Sequence, residues 1–256
     1  MDETYQAYLN RVAKLTLPAS YQSQLQTIQK SPKFEGGKAT PFPGYTINSP
    51  ACPEDQVNDG FYAQLRQDQA ELVATLGDLV IPVPPDSFHL TLADLIWDGA
   101  YEDAVSQDGE YEQKLCDRIA HSFQQYQYHL TDSSPLTFQL VGVIVRPRAV
   151  AVGLIPQNET SHEKLRTLRR SLYQNAELIG LGIEQQYRFT AHITLCYFNQ
   201  IPPTLDRDRL SNILVNFNDR WIGTDPQVFT LEQAELQHFE DMTRYSRKPH
   251  FPTVKL

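Results

Sequence analysis

Two short stretches, one in each half of the chain, have almost the same sequence: His89-Leu90-Thr91-Leu92 and His192-Ile193-Thr194-Leu195. Each lies in a run of β-favouring residues, 87–92 in the first case and 187–198 in the second, and such runs predict strands. Side chains of a strand alternate between its faces, so the His and the Thr two positions later share one face. Each strand therefore presents an imidazole and a hydroxyl together, with aliphatic residues on the opposite face.

Chance is a poor explanation for this pair. The chain has seven histidines, and a His followed by a hydroxyl residue and then an apolar residue at these spacings should occur by chance in fewer than about one case. A third, partial match shows what chance produces. His129-Leu130-Thr131 is followed by Asp132-Ser133-Ser134-Pro135 instead of an apolar strand residue. We interpret it as the end of a helix that runs into a turn.

Length and composition restrict the class of protein. The chain has 256 residues, of which 41% are hydrophobic and 21% charged, as is typical of a soluble globular protein with one large domain or two lobes. A net charge of −9 argues against an extended nucleic-acid partner, and no window approaches the roughly 20 apolar residues of a membrane span. The acidic start without a secretory segment and three scattered cysteines favour a cytoplasmic location.

Helices and strands are expected to alternate along the rest of the chain. Apolar periodicity predicts helices within residues 1–35 and at 59–76, 101–129, 161–178 and 206–221. β-rich runs predict strands at 45–48 and 228–239 and a hairpin of 136–145 with 149–155. The order strand, helix, His-x-Thr strand thus occurs twice, and two facing lobes would bring both histidines to one cleft. We expect a helical extension at 1–35 and a single domain of two interleaved lobes at 36–256.

The two motifs and their surroundings resemble a known family. Residues 85–92, Pro-Asp-Ser-Phe-His-Leu-Thr-Leu, and 189–195, Phe-Thr-Ala-His-Ile-Thr-Leu, resemble the paired signatures of the 2H phosphoesterase superfamily, which includes the LigT-like RNA 2',3'-cyclic phosphodiesterases. The Arg146-Pro147-Arg148 turn also resembles that group, and the Pro-Phe-Pro-Gly-x-Thr opening at 41–46 is closest to its less characterised bacterial branches. The resemblance covers roughly residues 40–245.

The resemblance implies both a fold and a chemistry. The fold would be α+β and bilobal with pseudo-two-fold symmetry, with helices outside and two antiparallel sheets that form a concave cleft, one His-x-Thr strand at the centre of each sheet. His89 and His192 would be the catalytic pair, and Thr91 and Thr194 would bind the phosphate. Hydrolysis of a cyclic phosphodiester needs a base for water and an acid for the leaving oxygen, and imidazole serves either purpose near neutrality. Which histidine is the base is left open, and no cofactor or metal is expected.

Further substrate contacts are weaker predictions. Arg146, Arg188 and Tyr245 could contact a phosphate or a sugar, and Tyr45 or Phe198 could stack on a base. The expected partner is a small nucleotide or an RNA terminus that bears a phosphodiester, with no extended nucleic acid and no membrane, and the protein is expected to be a monomer.

Three alternatives remain open at this stage. A binding module could keep the same cleft and hold a phosphate without cleaving it. A metal site on the two histidines would need a third ligand, and strict strand alternation predicts that Asp94 faces away from His89. A ribonuclease-like transesterification would use the same residues, but it would favour a more basic surface.

Overall fold

The structure is a computed structural model that describes residues 3–221, 224–225 and 227–256. Eight α-helices are found in these residues: α1 (Tyr5–Lys14), α2 (Pro18–Gln24), α3 (Asp59–Leu76), α4 (Asp98–Gln107), α5 (Tyr111–His129), α6 (Glu159–Tyr173), α7 (Ala176–Ile179) and α8 (Arg207–Asp219). The same residues contain twelve strands: β1 (Phe34–Glu35), β2 (Lys38–Ala39), β3 (Gly44–Asn48), β4 (Val80–Pro82), β5 (Thr91–Trp97), β6 (Leu136–Arg146), β7 (Ala149–Pro156), β8 (His192–Phe198), β9 (Val228–Leu231), β10 (Gln233–Asp241), β11 (Arg244–Ser246) and β12 (Thr253–Lys255).

Two five-stranded sheets carry the two motifs. The first sheet has the order β11-β10-β3-β5, with β12 also paired to β10, and the second has the order β4-β8-β7-β6-β9. Every pairing among the described residues is antiparallel. The predicted α+β class with two antiparallel sheets is confirmed. The expectation of a central position for both motif strands is wrong for β5, which lies at the edge of the first sheet.

Most elements agree with the sequence pattern, and two predicted helices are each divided in two. Residues 101–129 form parts of α4 and α5, which are separated by residues 108–110 with a turn at Gly109 and Glu110. Residues 161–178 form parts of α6 and α7, where the side chain of Asn175 accepts a hydrogen bond from the backbone N–H of Glu177 and caps the second helix. The partial motif at His129 lies at the end of α5, as predicted.

The N-terminal segment packs against the second sheet, which carries the second motif. The Tyr5 hydroxyl donates to the backbone oxygen of Pro156, at the end of β7, over 3.0 Å. Further along, the backbone N–H of Gln29 donates to the oxygen of Pro147, and that of Ser31 donates to the oxygen of Phe198. Residues 29–33 are therefore fastened between the β6–β7 turn and the end of β8. No helix among the described residues is long and apolar enough to span a bilayer.

Candidate active-site cleft

Both motifs line one cleft of about 340 Å³ between the two sheets. His89 and Thr91 enter it from the first sheet, and His192 and Thr194 enter it from the second. The alternation predicted within the tetrapeptides explains their direction, because the intervening aliphatic residues, such as Leu90 and Ile193, are fully buried in the core. The cleft is further lined by Lys33, Phe42, Thr46, Val83, Ser87, Asp94, Trp97, Arg146, Arg148, Tyr187, Tyr197, Phe239, Met242 and Tyr245.

A hydrogen bond to a nearby backbone oxygen orients each of the two imidazoles. Nδ1 of His89 lies 2.7 Å from the backbone oxygen of Ser87, and Nδ1 of His192 lies 2.7 Å from that of Thr190. A carbonyl oxygen can only accept a hydrogen bond, so Nδ1 must carry the proton in each ring. In the neutral state Nε2 is then the unprotonated nitrogen of both histidines. Each ring can therefore take up or deliver a proton through Nε2 without losing its anchor.

Strict alternation ends immediately after each threonine, at a β-bulge. On β5, Thr91 and Ala93 pair with adjacent residues of β3, so Leu92 is an extra residue that has no partner in the register. The residue after Thr194 on β8, Leu195, is an extra residue in the same way. The bulges occupy equivalent positions in the two motifs, as the internal pseudo-symmetry would require.

Buried polar side chains hold both bulges. The guanidinium of Arg169, on α6, donates to the backbone oxygen of Leu92. The side-chain amide of Gln69, on α3, donates to the backbone oxygen of Leu195 over 2.7 Å. Arg169 is 6% exposed and Gln69 is 5% exposed, so these bonds lie in the protein interior, where an unpaired donor would be costly. The helix packed behind each motif therefore holds the β-bulge of that strand in place.

The bulges bring to the cleft two residues that strict alternation would turn away. The residue three positions after each threonine, Asp94 in β5 and Tyr197 in β8, lines the cleft. A second bulge in β5 brings Trp97 to the same face. The expectation that Asp94 faces away from His89 is therefore wrong, because it assumed an uninterrupted strand. In the described part of the chain, no group of three or more His, Cys, Asp or Glu residues is arranged to hold a metal ion.

The cleft is locally cationic although the chain as a whole is acidic. Lys33, Arg146 and Arg148 line it, against the single carboxylate of Asp94. Asp94 accepts a hydrogen bond from the Tyr187 hydroxyl. Opposite charges attract over the short distances inside such a cleft more strongly than in bulk water, so the site favours an anionic ligand.

Both histidines are shifted toward the neutral form. Burial lowers the pKa of His89 below its usual value, while its bond to Ser87 and the charge of Asp94 act in the opposite direction. Burial together with the positive charge of Arg146 lowers the pKa of His192 to about 4. The two imidazoles thus share one orientation but differ in basicity, because the positive charge of Arg146 acts on His192.

The segment before His192 is held by α1. The guanidinium of Arg11 donates to the Thr190 hydroxyl over 2.8 Å and to the backbone oxygen of Phe189 over 2.6 Å. The backbone N–H of Ala191 donates to the Tyr8 hydroxyl over 2.9 Å. Since the backbone oxygen of Thr190 orients the imidazole, these bonds support the geometry of the second motif. The N-terminal helix, predicted to be an accessory element on the outside, contacts the segment before the second motif directly.

Of the five weaker sequence predictions, two residues line the cleft and three do not. Arg146 and Tyr245 line the cleft, and the Tyr245 ring centroid lies 4.2 Å from that of His89. Tyr45 lies on the other side of β3, where its hydroxyl donates to Glu112 over 2.6 Å. Arg188 is exposed and paired with Glu3, at a second cavity of about 410 Å³ outside the cleft.

Phe198 also differs from its prediction, since it is 1% exposed within the core and cannot reach a base in the cleft. The positions that do bring aromatic rings to the cleft are Phe42, Trp97, Tyr187, Tyr197, Phe239 and Tyr245. Of these, Trp97 and Tyr197 follow the motifs closely, but no pattern within either strand marks them, because each depends on a bulge.

The fold is shared with proteins of known structure. A conserved protein of unknown function, ATU0111, from Agrobacterium tumefaciens matches with a TM-score of 0.55 and 15% identity, over 89% of this chain and 96% of that one. This chain has the fold of that protein. No family model matches the sequence, and no curated protein is similar to it.

Two further structures match with lower TM-scores. Escherichia coli LigT in complex with 3'-AMP, from the group that the sequence resembles, matches with a TM-score of 0.46 and 15% identity, over 83% of this chain and 98% of that one. TT0787 of Thermus thermophilus matches with a TM-score of 0.43 and 17% identity, over 83% of this chain and 94% of that one. At these identities a likeness describes the fold, and the chemistry must be argued from the cleft itself.

Proposed function

We propose that this protein is a phosphodiesterase of the 2H type that hydrolyses a cyclic or 2'-linked phosphodiester of a nucleotide or an RNA end. The observation that supports this most directly is the matched pair of imidazoles in one cleft, each anchored through Nδ1 to the carbonyl two residues before it. A metal-free acid–base reaction needs two such groups facing one substrate.

The residues of the cleft suggest a simple reaction. One imidazole takes a proton from water through Nε2, and the water oxygen forms a bond to phosphorus. The ester bond between phosphorus and the ribose oxygen breaks, and the other imidazole donates its Nε2 proton to that oxygen. Thr91 and Thr194 supply hydroxyl donors to the non-bridging oxygens, where negative charge accumulates. The products are a phosphomonoester and a free ribose hydroxyl.

The difference between the imidazoles favours His192 as the base and His89 as the acid. The positive charge of Arg146 disfavours a second positive charge on His192, which therefore stays neutral and able to accept a proton. The charge of Asp94 favours the protonated form of both rings, and the Arg146 charge opposes it at His192. A bound phosphodiester anion adds to this effect and promotes protonation of His89 in the complex.

The lining of the cleft suits a nucleotide. Trp97 and Tyr197 offer rings on which a base can stack, and Tyr245 lies beside His89, where a ribose or phosphate would be held. A volume of about 340 Å³ is at the small end of ligand pockets, which matches a mononucleotide or a chain end and not a duplex.

The direct test is hydrolysis of a 2',3'-cyclic nucleotide or an RNA with a cyclic end, with EDTA present. We expect turnover to be the same with and without the chelator, because both proton transfers are assigned to imidazoles. Product analysis by chromatography would identify the phosphomonoester. Tight nucleotide binding without cleavage of any cyclic, 2'-5' or linear phosphodiester would instead support a binding module.

The pH dependence of kcat/KM tests the assignment of acid and base. A base loses activity as the pH falls through its pKa, and an acid loses activity as the pH rises through its pKa. With His192 near pKa 4 and His89 below its usual value, we expect a bell-shaped profile with its maximum on the acidic side of neutrality. Arg146→Gln should move the acidic limb to higher pH, because removal of the cation raises the pKa of His192.

Arg148→Gln is the matched control for that experiment, since it removes the same charge from the same cleft. It should leave the acidic limb in place. If Arg146→Gln moves the basic limb instead, the roles of the two histidines are reversed.

A further inference from the structure

The cleft contains more positive charge than one phosphodiester requires. Lys33, Arg146 and Arg148 line it, and no carboxylate of the described residues lies within 4 Å of any of these three cations. Arg146 acts on His192 and so belongs to the reacting phosphate. Neither Lys33 nor Arg148 has been given a role at the reacting phosphate.

Lys33 is held in the cleft by aromatic and sulfur groups. Its Nζ lies 4.4 Å from the ring centroid of Phe42 and 5.6 Å from that of Tyr197. The nearest polar contact recorded for Nζ is the Met242 sulfur at 3.1 Å. A cation in such surroundings has lost much of its hydration and has gained only weak acceptors. An incoming anion would supply the missing partner.

The backbone holds Lys33 at this place. Its backbone N–H donates to the Ser31 side chain over 3.2 Å, and its backbone oxygen accepts from Thr40 over 3.0 Å. The segment before it is attached to Pro147, the residue between Arg146 and Arg148, through the backbone N–H of Gln29. Lys33 and the β6–β7 turn that carries Arg146 and Arg148 are thus held together by backbone hydrogen bonds in the wall of the cleft.

The two cations also affect one another. Burial lowers the pKa of Lys33 to about 8. The charge of Asp94 opposes this shift, while the smaller effect of the Arg148 charge adds to it. Two positive groups kept near each other in a partly dehydrated wall are stabilised when an anion binds between them.

We propose that Lys33 and Arg148 form a second phosphate subsite, so that the substrate is a phosphodiester that carries at least one further phosphate. This inference rests on the proposed function, because it adds a second anchor to the same cleft. The further phosphate is either the 5'-phosphate of a mononucleotide or the next phosphodiester of an RNA end, and both present the same non-bridging oxygens to the two cations.

Three substrates separate these possibilities. Adenosine 2',3'-cyclic phosphate has one phosphate, its 5'-phosphorylated form has two, and a dinucleotide with a 2',3'-cyclic end has an internal phosphodiester. We expect kcat/KM for the better two-phosphate substrate to exceed that for the first by about 10-fold or more, as a charge-assisted contact would give. A preference for the dinucleotide would identify an RNA end, and a preference for the 5'-phosphorylated form would identify a mononucleotide.

Lys33→Met tests the residue itself, since it keeps the length and apolar stem of the side chain. It should remove most of that preference, chiefly through KM, and weaken the one-phosphate substrate less than either two-phosphate substrate. Lys30→Met is the matched control, because Lys30 lies on the same segment, pairs with Glu35 and does not line the cleft. It should leave all three substrates unchanged. Equal losses on all substrates in Lys33→Met, or no preference in the wild type, would overturn the proposal.

Binding of products makes the test independent of turnover. Calorimetry should show that adenosine 3',5'-bisphosphate binds more tightly than 3'-AMP to the wild type, and that Lys33→Met abolishes the difference. If the wild type cleaves no substrate but retains this difference, the subsite stands and the proposed catalysis fails. If it cleaves the one-phosphate substrate and shows no difference, the proposed catalysis stands and the subsite fails.

Discussion

Replacement of His192 by alanine should lower kcat for a 2',3'-cyclic phosphodiester by about 10²–10⁴-fold, and replacement of His89 should have a similar effect. Each ring is assigned one of the two proton transfers, and neither can perform both in a single turnover. Rates measured under single-turnover conditions would separate this loss from weaker binding.

Asparagine at the same positions gives a sharper version of the test. Its side-chain amide can still donate to the carbonyl of Ser87 or Thr190, but it has no group at the place of Nε2. His89→Asn and His192→Asn should therefore keep the local fold and still lose activity. His121→Ala is a suitable control, because His121 lies on α5 away from the cleft. Activity within about tenfold of wild type in either asparagine variant would be incompatible with the two-histidine reaction.

Gly44→Ala should destabilise the protein by about 3 kcal/mol or more, at the upper end of the effect of overpacking. A Cβ atom at this position would lie 2.3 Å from the backbone oxygen of Ile96 and 2.9 Å from the Cα of Trp97. Those atoms belong to β5, so relief of the clash would push the strand that carries the first motif away from β3. Urea or thermal unfolding measures the change, and weaker nucleotide binding should accompany it.

Gly60→Ala provides the comparison for that experiment. Gly60 lies in the first turn of α3, and an added Cβ would meet nothing within 4 Å. Alanine at such a helical site is expected to be neutral or to stabilise by up to about 1 kcal/mol. If Gly44→Ala behaves like Gly60→Ala, close approach of the two strands is not what requires glycine.

Local sequence patterns predicted most of the helices and strands, because apolar periodicity records which side of an element is buried. They also predicted that His89 and His192 would share a face with their threonines, since the two positions are adjacent on that face. The side chains beyond Thr91 and Thr194 could not be predicted in the same way. A bulge depends on the register with the neighbouring strand and on Arg169 or Gln69 behind it, and no pattern within the strand records either.

Long-range packing explains the remaining differences. Lys33 reaches the cleft because residues 29–33 are attached to Pro147 and Phe198, far away in the chain. Arg188 lies only four residues before His192, but it pairs with Glu3 at another cavity. Proximity to a motif along the chain was therefore a poor guide to which cations enter the site.

The order of strands in the first sheet also affects how the protein can form during synthesis. Among the described residues β5 pairs with β3 alone, and β3 is supported on its other side by β10, which comes much later in the chain. While the polypeptide leaves the ribosome, the strand with His89 emerges early, yet its sheet stays incomplete until β10 to β12 have followed. Until then β3 has an open edge that could pair wrongly with another chain. A nascent chain thus completes its second sheet, which ends at β9, before its first.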